Sequence, residues 1–349
     1  MEREEAAATG LEPLDPGTLG VSRLRKQAGD DAVLLAGVLQ AGLAAAGIEP
    51  TDIALAGTWR AGTLAGALAI LEEAGWRVIP GNQLVLRLRK RKTAAQLAAA
   101  RRTAASVAAA FEQVAGLLAA ASVRDGELWL EGERLRAGRL RTEVARLFAT
   151  AGLSQPEGNI VAAGADAAVP HTRGGSDRVL APGEALVVDL FPQGGLFADC
   201  TRTFCVGPAP PALAAAHEEV RRALEEAHGA AAAGRRGWEL QLATCRRFEA
   251  RGYATALSTP DTVQGYLHGL GHGVGFELHE YPSFREAAGE EGTLEEGDLL
   301  TLEPGLYDPA AGWGVRLEDL VALGPDGSEN LTPLPCALDP VAWRREVKA

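Results

Sequence analysis

Cysteine, cationic charge and unbroken apolar stretches are all scarce in this chain, and each scarcity removes a class of protein. The four cysteines, Cys200, Cys205, Cys245 and Cys336, form no CxxC pair. Neither a disulfide framework nor a zinc knuckle follows from that spacing, and a reducing cytoplasm is the expected location. Lysine and arginine number 34 against 46 aspartates and glutamates, a net charge of -12. Phosphate backbones require a cationic footprint, so no nucleic-acid partner is expected. The local exception is RLRKRK at 87–92, which reads as a solvated junction between domains. The opening MEREEAAATG has no apolar leader core, and charges interrupt the alanine-rich stretches before the roughly 18 apolar residues of a membrane span. A cytoplasmic protein without membrane attachment is expected.

What remains is an ordinary globular composition, 47% hydrophobic and 23% charged, in a chain of 349 residues that exceeds the reach of one core. Apolar residues recur at helical spacing over 31–46. TDIALAGT then reads as a strand, AGTLAGALAILEEAG as a helix, and RVIP and LVLRL as strands. This alternation predicts a small N-terminal α/β domain over residues 1–92. From 93 to 349 the pattern changes. Thr93 is placed to cap a long alanine-rich helix, followed by a hairpin, GELWLEGERL, and a helix over 139–151. Strands GNIVAAG, EALVVDL and LFADCTRTFCVG come next. Two helices follow, one after the proline breaker at 208–211 and one over 238–251, before the strands DLLTLEPGLY and GVRLEDLVAL. Helices then strands, twice over, predict an internally duplicated α+β domain.

Within it lie acids in apolar strands. Asp189 stands in LVVDLFP and Asp199 in LFADCTRTF, so a hairpin across Gly194 and Gly195 would bring both carboxylates to one face. Glu303 in LTLEPGLY and Glu318 in GVRLEDL repeat the anomaly. Taken singly, each acid would be a turn or cap residue, or would need a cationic partner. Four converging carboxylates repel and raise one another's pKa, a conflict that two divalent cations remove. Three of the chain's six histidines fall in HGLGHGVGFELHE, at 268, 272 and 279. His272 lies between Gly271 and Gly273, where backbone can approach closely, and is the imidazole that best completes the set. Four oxygen donors and one nitrogen suit manganese or cobalt and tolerate zinc.

The pattern H-x-x-G-H-x-x-G-x-x-x-H-E-x-P at 268–282, with DCTRT, EPG and VRLED in order, resembles the pita-bread metallopeptidases. That family includes Xaa-Pro dipeptidase, Xaa-Pro aminopeptidase and methionine aminopeptidase, and the resemblance covers about residues 93–335. It implies that Asp189, Asp199, His272, Glu303 and Glu318 hold two metal ions and that Glu303 doubles as the base. It also implies that His268 and His279 act in catalysis and line the substrate together with His171 of GADAAVPHTRG. Arg316 would orient Glu318 or meet a substrate carboxylate. A homodimer is implied as well. Methionine aminopeptidases usually carry Gln where this chain has Arg316 and lack a folded N-terminal domain, so the proline-directed branch is favoured. An Xaa-Pro dipeptidase is the expected activity, on dipeptide or short-peptide substrates; the alternatives are an Xaa-Pro aminopeptidase acting on longer peptides and a non-catalytic peptide-binding scaffold.

Two departures from the family pattern stand out. Asp189 and Asp199 are ten residues apart where eleven is usual. A one-residue slip within a strand would turn a side chain to the other face, so the deletion is expected in the turn. Ser283 also stands where some prolidases carry an arginine after the HExP proline, with Arg285 two residues later.

Overall fold

A computed structural model describes residues 14–325 and 327–347, in two compact units that divide between Leu86 and Arg87. In the first unit, α1 (Val21–Gln27) and α2 (Asp31–Ala45) precede β1 (Asp52–Leu55), α3 (Ala61–Glu73) and β2 (Arg77–Pro80). Asp30 caps α2, its Oδ1 accepting the N–H groups of Ala32 and Val33 at 2.9 and 3.0 Å. The two strands pair in parallel, as a helical crossover through α3 allows, and Leu35, Ala36, Ala67, Leu71 and Trp76 form a small core.

The stretch LVLRL, expected as a strand, lies inside α4 (Asn82–Lys90). Leu, Arg, Lys and Gln are strong helix formers and Val85 is the one β-branched residue of α4, so composition outweighs the apparent alternation. The expectation of a solvated basic run holds for Arg87 and Arg91, which are exposed, and fails at Lys90 and Lys92, each only 6% exposed.

The second unit opens with α5 (Ala94–Ala120), started by a capping box. The Gln96 N–H donates to Thr93 Oγ1 at 3.3 Å, and the Thr93 N–H to Gln96 Oε1 at 2.8 Å. By length and composition α5 would span a membrane. Its apolarity has another cause, because Ala100, Val107, Phe111, Val114 and Leu118 are buried in the core.

A meander of β3 (Ser122–Arg124), β4 (Glu127–Leu130) and β5 (Glu133–Arg134) leads to α6 (Ala137–Thr150). An antiparallel sheet follows, in the order β6 (Asn159–Ala163), β7 (Leu186–Leu190), β8 (Cys200–Phe204). The second half repeats the plan. Helices α7 (Pro211–Ala230) and α8 (Gly237–Glu249) precede β9 (His272–Gly273), β10 (Glu280–Ser283), β11 (Leu299–Leu302), β12 (Gly305–Asp308), β13 (Trp313–Arg316), β14 (Asp319–Gly324) and β15 (Gly327–Asn330). The larger sheet has the order β10-β9-β11-β14-β15, β12 and β13 pair separately, and α9 (Pro340–Val347) closes the described chain. This is the mixed helix-and-strand architecture, in two halves, that the alternation predicts. The halves meet where Thr201 of β8 bridges Glu318, between β13 and β14. Glu318 N–H donates to Thr201 O at 3.0 Å.

Candidate metal centre

The seam between the halves gathers the acids. Asp189 sits directly opposite Thr201 in the β7–β8 register, and Asp199 lies two residues before Thr201. Side chains alternate along a strand, so Asp189, Thr201 and Asp199 share one face. The ten-residue spacing is taken up in the connection, 191–199, and the ladder through Asp189 stays regular. Glu303 lies just past β11, its N–H donating to Leu270 O at 2.6 Å, and Glu318 occupies the seam itself.

His272 enters on β9, and the glycines around it mark a close approach of backbones. A Cβ at Gly271 would sit 2.0 Å from Thr301 O, and one at Gly273 would sit 2.0 Å from Tyr281 O. Burial, then the charge of His279, lowers the His272 pKa to about 3, so the ring is neutral. Its Nδ1 lies 3.1 Å from Gly273 O, an acceptor, so the proton belongs on Nδ1. The Nε2 lone pair therefore faces Asp199 Oδ2 and Glu303 Oε1, each 3.6 Å away. Among the described residues, Asp199, His272 and Glu318 offer ligand atoms all within 4.8 Å of one another. Asp189 Oδ1 and Asp199 Oδ1 are buried with no hydrogen-bond partner.

Lone pairs aimed at lone pairs in a buried pocket are what a cation would resolve, so these residues fit a divalent metal site. Without one, burial favours the protonated forms of Asp199, Glu303 and Glu318. Burial first, then the charge of Asp189, raises Asp199 far above the carboxylate range, and burial followed by Asp199 does the same to Glu318. Burial lifts Glu303 to about 8, against the opposing pull of Arg316.

Arg316 forms an ion pair with Asp189, Nη2 to Oδ2 at 2.7 Å, both largely buried. It reaches Glu318 only through Thr201: Arg316 Nε donates to Thr201 Oγ1 at 3.3 Å, and Thr201 Oγ1 donates to Glu318 Oε2 at 2.7 Å. Asp189 is left with one oxygen for a metal. His268 is neutral too, its pKa brought to about 3 by burial and then by Arg316. Its Nδ1 lies 2.8 Å from Gly269 O, which leaves Nε2 to accept from the Tyr307 hydroxyl at 2.9 Å. Both ring nitrogens are thus engaged within the protein. His279 is stacked at a tilt on His272 with ring centroids 4.1 Å apart, and burial, then the charge of His171, lowers its pKa. His171 is exposed on the segment after β6, within electrostatic reach of His268 and His279. Ser283 Oγ is turned to its own backbone, accepting the Arg285 N–H at 3.3 Å, and Arg285 is exposed.

Tyr307 is a site residue that sequence reading passed over. Its hydroxyl accepts from Arg316 Nη1 at 2.8 Å while donating to His268, linking the ion pair to the histidine. The only signal was a tyrosine four residues after Glu303 in EPGLY. In DCTRT, too, the fold gives each polar residue a role that spacing alone does not show. Beyond Thr201, Thr203 Oγ1 donates to Arg316 O at 2.9 Å. Arg202 donates to Glu318 O and Asp319 Oδ1, both at 2.7 Å, so the motif fastens the strand that carries Glu318.

Residues 97–325 match the model of metallopeptidase family M24. The chain belongs to metallopeptidase family M24. Among its relatives, an Xaa-Pro dipeptidase from Pyrococcus furiosus is 32% identical over 222 residues, 61% of this chain and 59% of that protein. The chain thus spans about three-fifths of the length of that curated relative. Among solved structures, an Xaa-Pro dipeptidase from Bacillus anthracis superposes with a TM-score of 0.70 at 26% identity, covering 88% of this chain and 78% of that one. An X-Pro aminopeptidase from Thermotoga maritima gives 0.68 at 25% identity, covering 89% and 79%. The pita-bread fold of the M24 proteins is therefore the fold of this chain, and its candidate metal centre lies within the matched segment.

Proposed function

We propose that this chain is a dinuclear-metal hydrolase that cleaves the N-terminal peptide bond before proline, acting as an Xaa-Pro dipeptidase. The observation that carries the reading is the donor set at the seam, in which the free Nε2 of His272 faces Asp199 and Glu303 at 3.6 Å and Asp199, His272 and Glu318 offer ligand atoms within 4.8 Å of one another. Asp189, Asp199, His272, Glu303 and Glu318 are the proposed ligands. Manganese is the proposed ion, with cobalt or zinc as substitutes, because oxygen donors predominate. Bound there, divalent ions supply a Lewis acid and bring the pKa of water toward neutrality, which a sterically guarded tertiary amide requires. Glu303 then serves as proton acceptor. His279 donates a hydrogen bond to the oxyanion, and His171 lines the substrate. Arg316 and Tyr307 hold Asp189 and His268 in place around the reacting carbonyl. Homodimeric assembly, implied by the family resemblance, and a cytoplasmic location, supported by four unpaired cysteines, belong to the same proposal.

A second reading is an Xaa-Pro aminopeptidase on longer peptides, favoured by Ser283 at a position where an arginine would meet a dipeptide's carboxylate. A manganese-loaded assay of Xaa-Pro dipeptides beside Xaa-Pro-Yaa tripeptides separates the two. Dipeptide cleavage supports the first reading and cleavage of tripeptides alone the second. Cleavage of neither by fully loaded protein removes both and leaves the scaffold.

A further inference from the structure

We propose that Lys92 is a positioning residue for His279, acting through a wholly buried ion pair with Glu280. The proposal rests on the peptidase reading above, in which His279 faces the reacting carbonyl. Both side chains are 0% exposed, and Lys92 Nζ lies 3.0 Å from Glu280 Oε2. Taking two charges out of water costs several kcal/mol per ion, and apolar replacements of such pairs are commonly neutral or stabilising. Stability alone therefore gives no reason for a salt bridge here. Direction does.

The geometry is over-determined on the lysine side. The Lys92 N–H donates to Gly297 O at 2.7 Å, and Nζ also donates to Lys90 O at 3.1 Å, so the ammonium is fixed before it meets Glu280. On the other side, Glu280 Oε1 accepts the Glu277 N–H at 3.1 Å, so one carboxylate closes the loop leading from Gly275 to His279. The backbone at Gly275 is pressed against the pair. A Cβ there would sit 2.1 Å from Glu280 Oε2 and 2.9 Å from Lys92 Cε, which only glycine avoids. That loop is tied down further, as Gly275 N–H donates to Glu277 O at 3.0 Å and Phe197 N–H to Gly275 O at 2.9 Å.

His279 is the residue before Glu280, and its ring lies on that of His272. Any displacement of the Glu280 carboxylate is passed through one peptide unit to this imidazole. Of the other cations of the run, Arg89 reaches the same loop and Lys90 and Arg87 reach the segment at 291–298. Arg89 pairs with Glu277 at 2.9 Å, Lys90 lies 3.2 Å from Glu295 and 3.5 Å from Asp298, and Arg87 pairs with Glu291. Within the stretch that composition marks as a solvated junction, Arg89 and Lys92 thereby hold the segment that bears His279.

The test uses the manganese-loaded full chain and the variants Lys92→Met and Lys92→Met/Glu280→Met. For Lys92→Met, kcat is expected to fall about 10- to 100-fold with KM within about twofold and metal content unchanged, the scale of a misaligned catalytic group. Amide exchange is expected to quicken at 275–280. The double variant removes the orphaned carboxylate, so its thermal midpoint should recover while kcat stays low. Recovery of kcat together with the midpoint would make the pair merely structural and overturn the proposal. Wild-type kcat in Lys92→Met, or unchanged exchange at 275–280, would overturn it as well. The exchange comparison stands apart from turnover: if the wild-type chain cleaves no Xaa-Pro peptide, the peptidase reading falls, while exchange still decides whether Lys92 fixes the loop.

Discussion

Replacing Tyr307 by Phe deletes one oxygen from a ring that is 1% exposed and leaves the packing of that ring intact. The oxygen accepts from the Arg316 guanidinium at 2.8 Å and donates to His268 Nε2 at 2.9 Å. A hydrogen bond to a charged group contributes about 1.5–3 kcal/mol and a neutral one about 0.5–1.5 kcal/mol. Arg316 Nη1 keeps a second acceptor, Pro170 O at 3.1 Å, which offsets part of the first loss. The expected cost is about 2–3 kcal/mol. With a denaturant slope of about 3 kcal/mol per molar, the urea midpoint of the catalytic unit should fall by roughly 0.7–1 M. Turnover should fall as well. His268 loses the donor that fixes its ring, and Arg316 loses one of the ties that aim it at Asp189, a loosening that costs about 10- to 100-fold in kcat. The assay is urea unfolding of the metal-loaded protein beside steady-state kinetics on an Xaa-Pro dipeptide. A midpoint within about 0.2 M of wild type and an unchanged kcat would show Tyr307 to be a space-filling ring, and the network argument would fail.

Other consequences follow from the same geometry. His279→Ala should lower kcat by about two to four orders of magnitude while metal content stays at the wild-type level, the scale of a lost oxyanion or acid-base group; an unchanged kcat would make His279 structural. Glu303→Ala should abolish turnover in metal-supplemented assays, since it would remove a proposed ligand and the proposed proton acceptor at once, and full activity would cancel both roles. Away from the site, burial brings the pKa of His217 from 6.5 to about 4. The unfolded chain takes up a proton near pH 6.5 that the folded chain refuses, so stability falls as pH drops from 6.5 toward 4. Between pH 7 and 4.5 that amounts to about 2–3 kcal/mol. His217→Leu should flatten this part of the pH profile in urea melts, and an unaltered profile would contradict the assignment.

How far the sequence discloses the site depends on the range of the interaction. Strand periodicity is local, so the shared face of Asp189 and Asp199 can be read from LVVDL and DCTRT without coordinates, and the later register of β7 and β8 keeps that face. The flanking glycines of His272 are local too, since they answer a crowded backbone. The Thr93 and Gln96 box is a four-residue signature. Partners that meet across the fold leave no such mark. Arg316 stands two residues before Glu318, yet its ion pair is with Asp189, 127 residues away. Tyr307 is on β12 opposite β13, and nothing in EPGLY distinguishes an anchoring tyrosine from a core one. Two lysines of the basic run are hidden for the same reason: the charges of Lys90 and Lys92 read as solvation until Glu280 and the acidic segment at 295–298 are folded against them. LVLRL failed on a different ground, because four or five apolar positions serve a helix and a strand equally well.

The central claim is that the carboxylates at the seam and His272 exist to hold a pair of divalent cations. It is tested most directly by manganese content per subunit after loading and desalting, in the wild-type chain and in Asp199→Ala. The account predicts two ions in the wild type and at most one in the variant, whose fold is otherwise intact by circular dichroism. No manganese retained by the wild type, or equal retention by both, would contradict it.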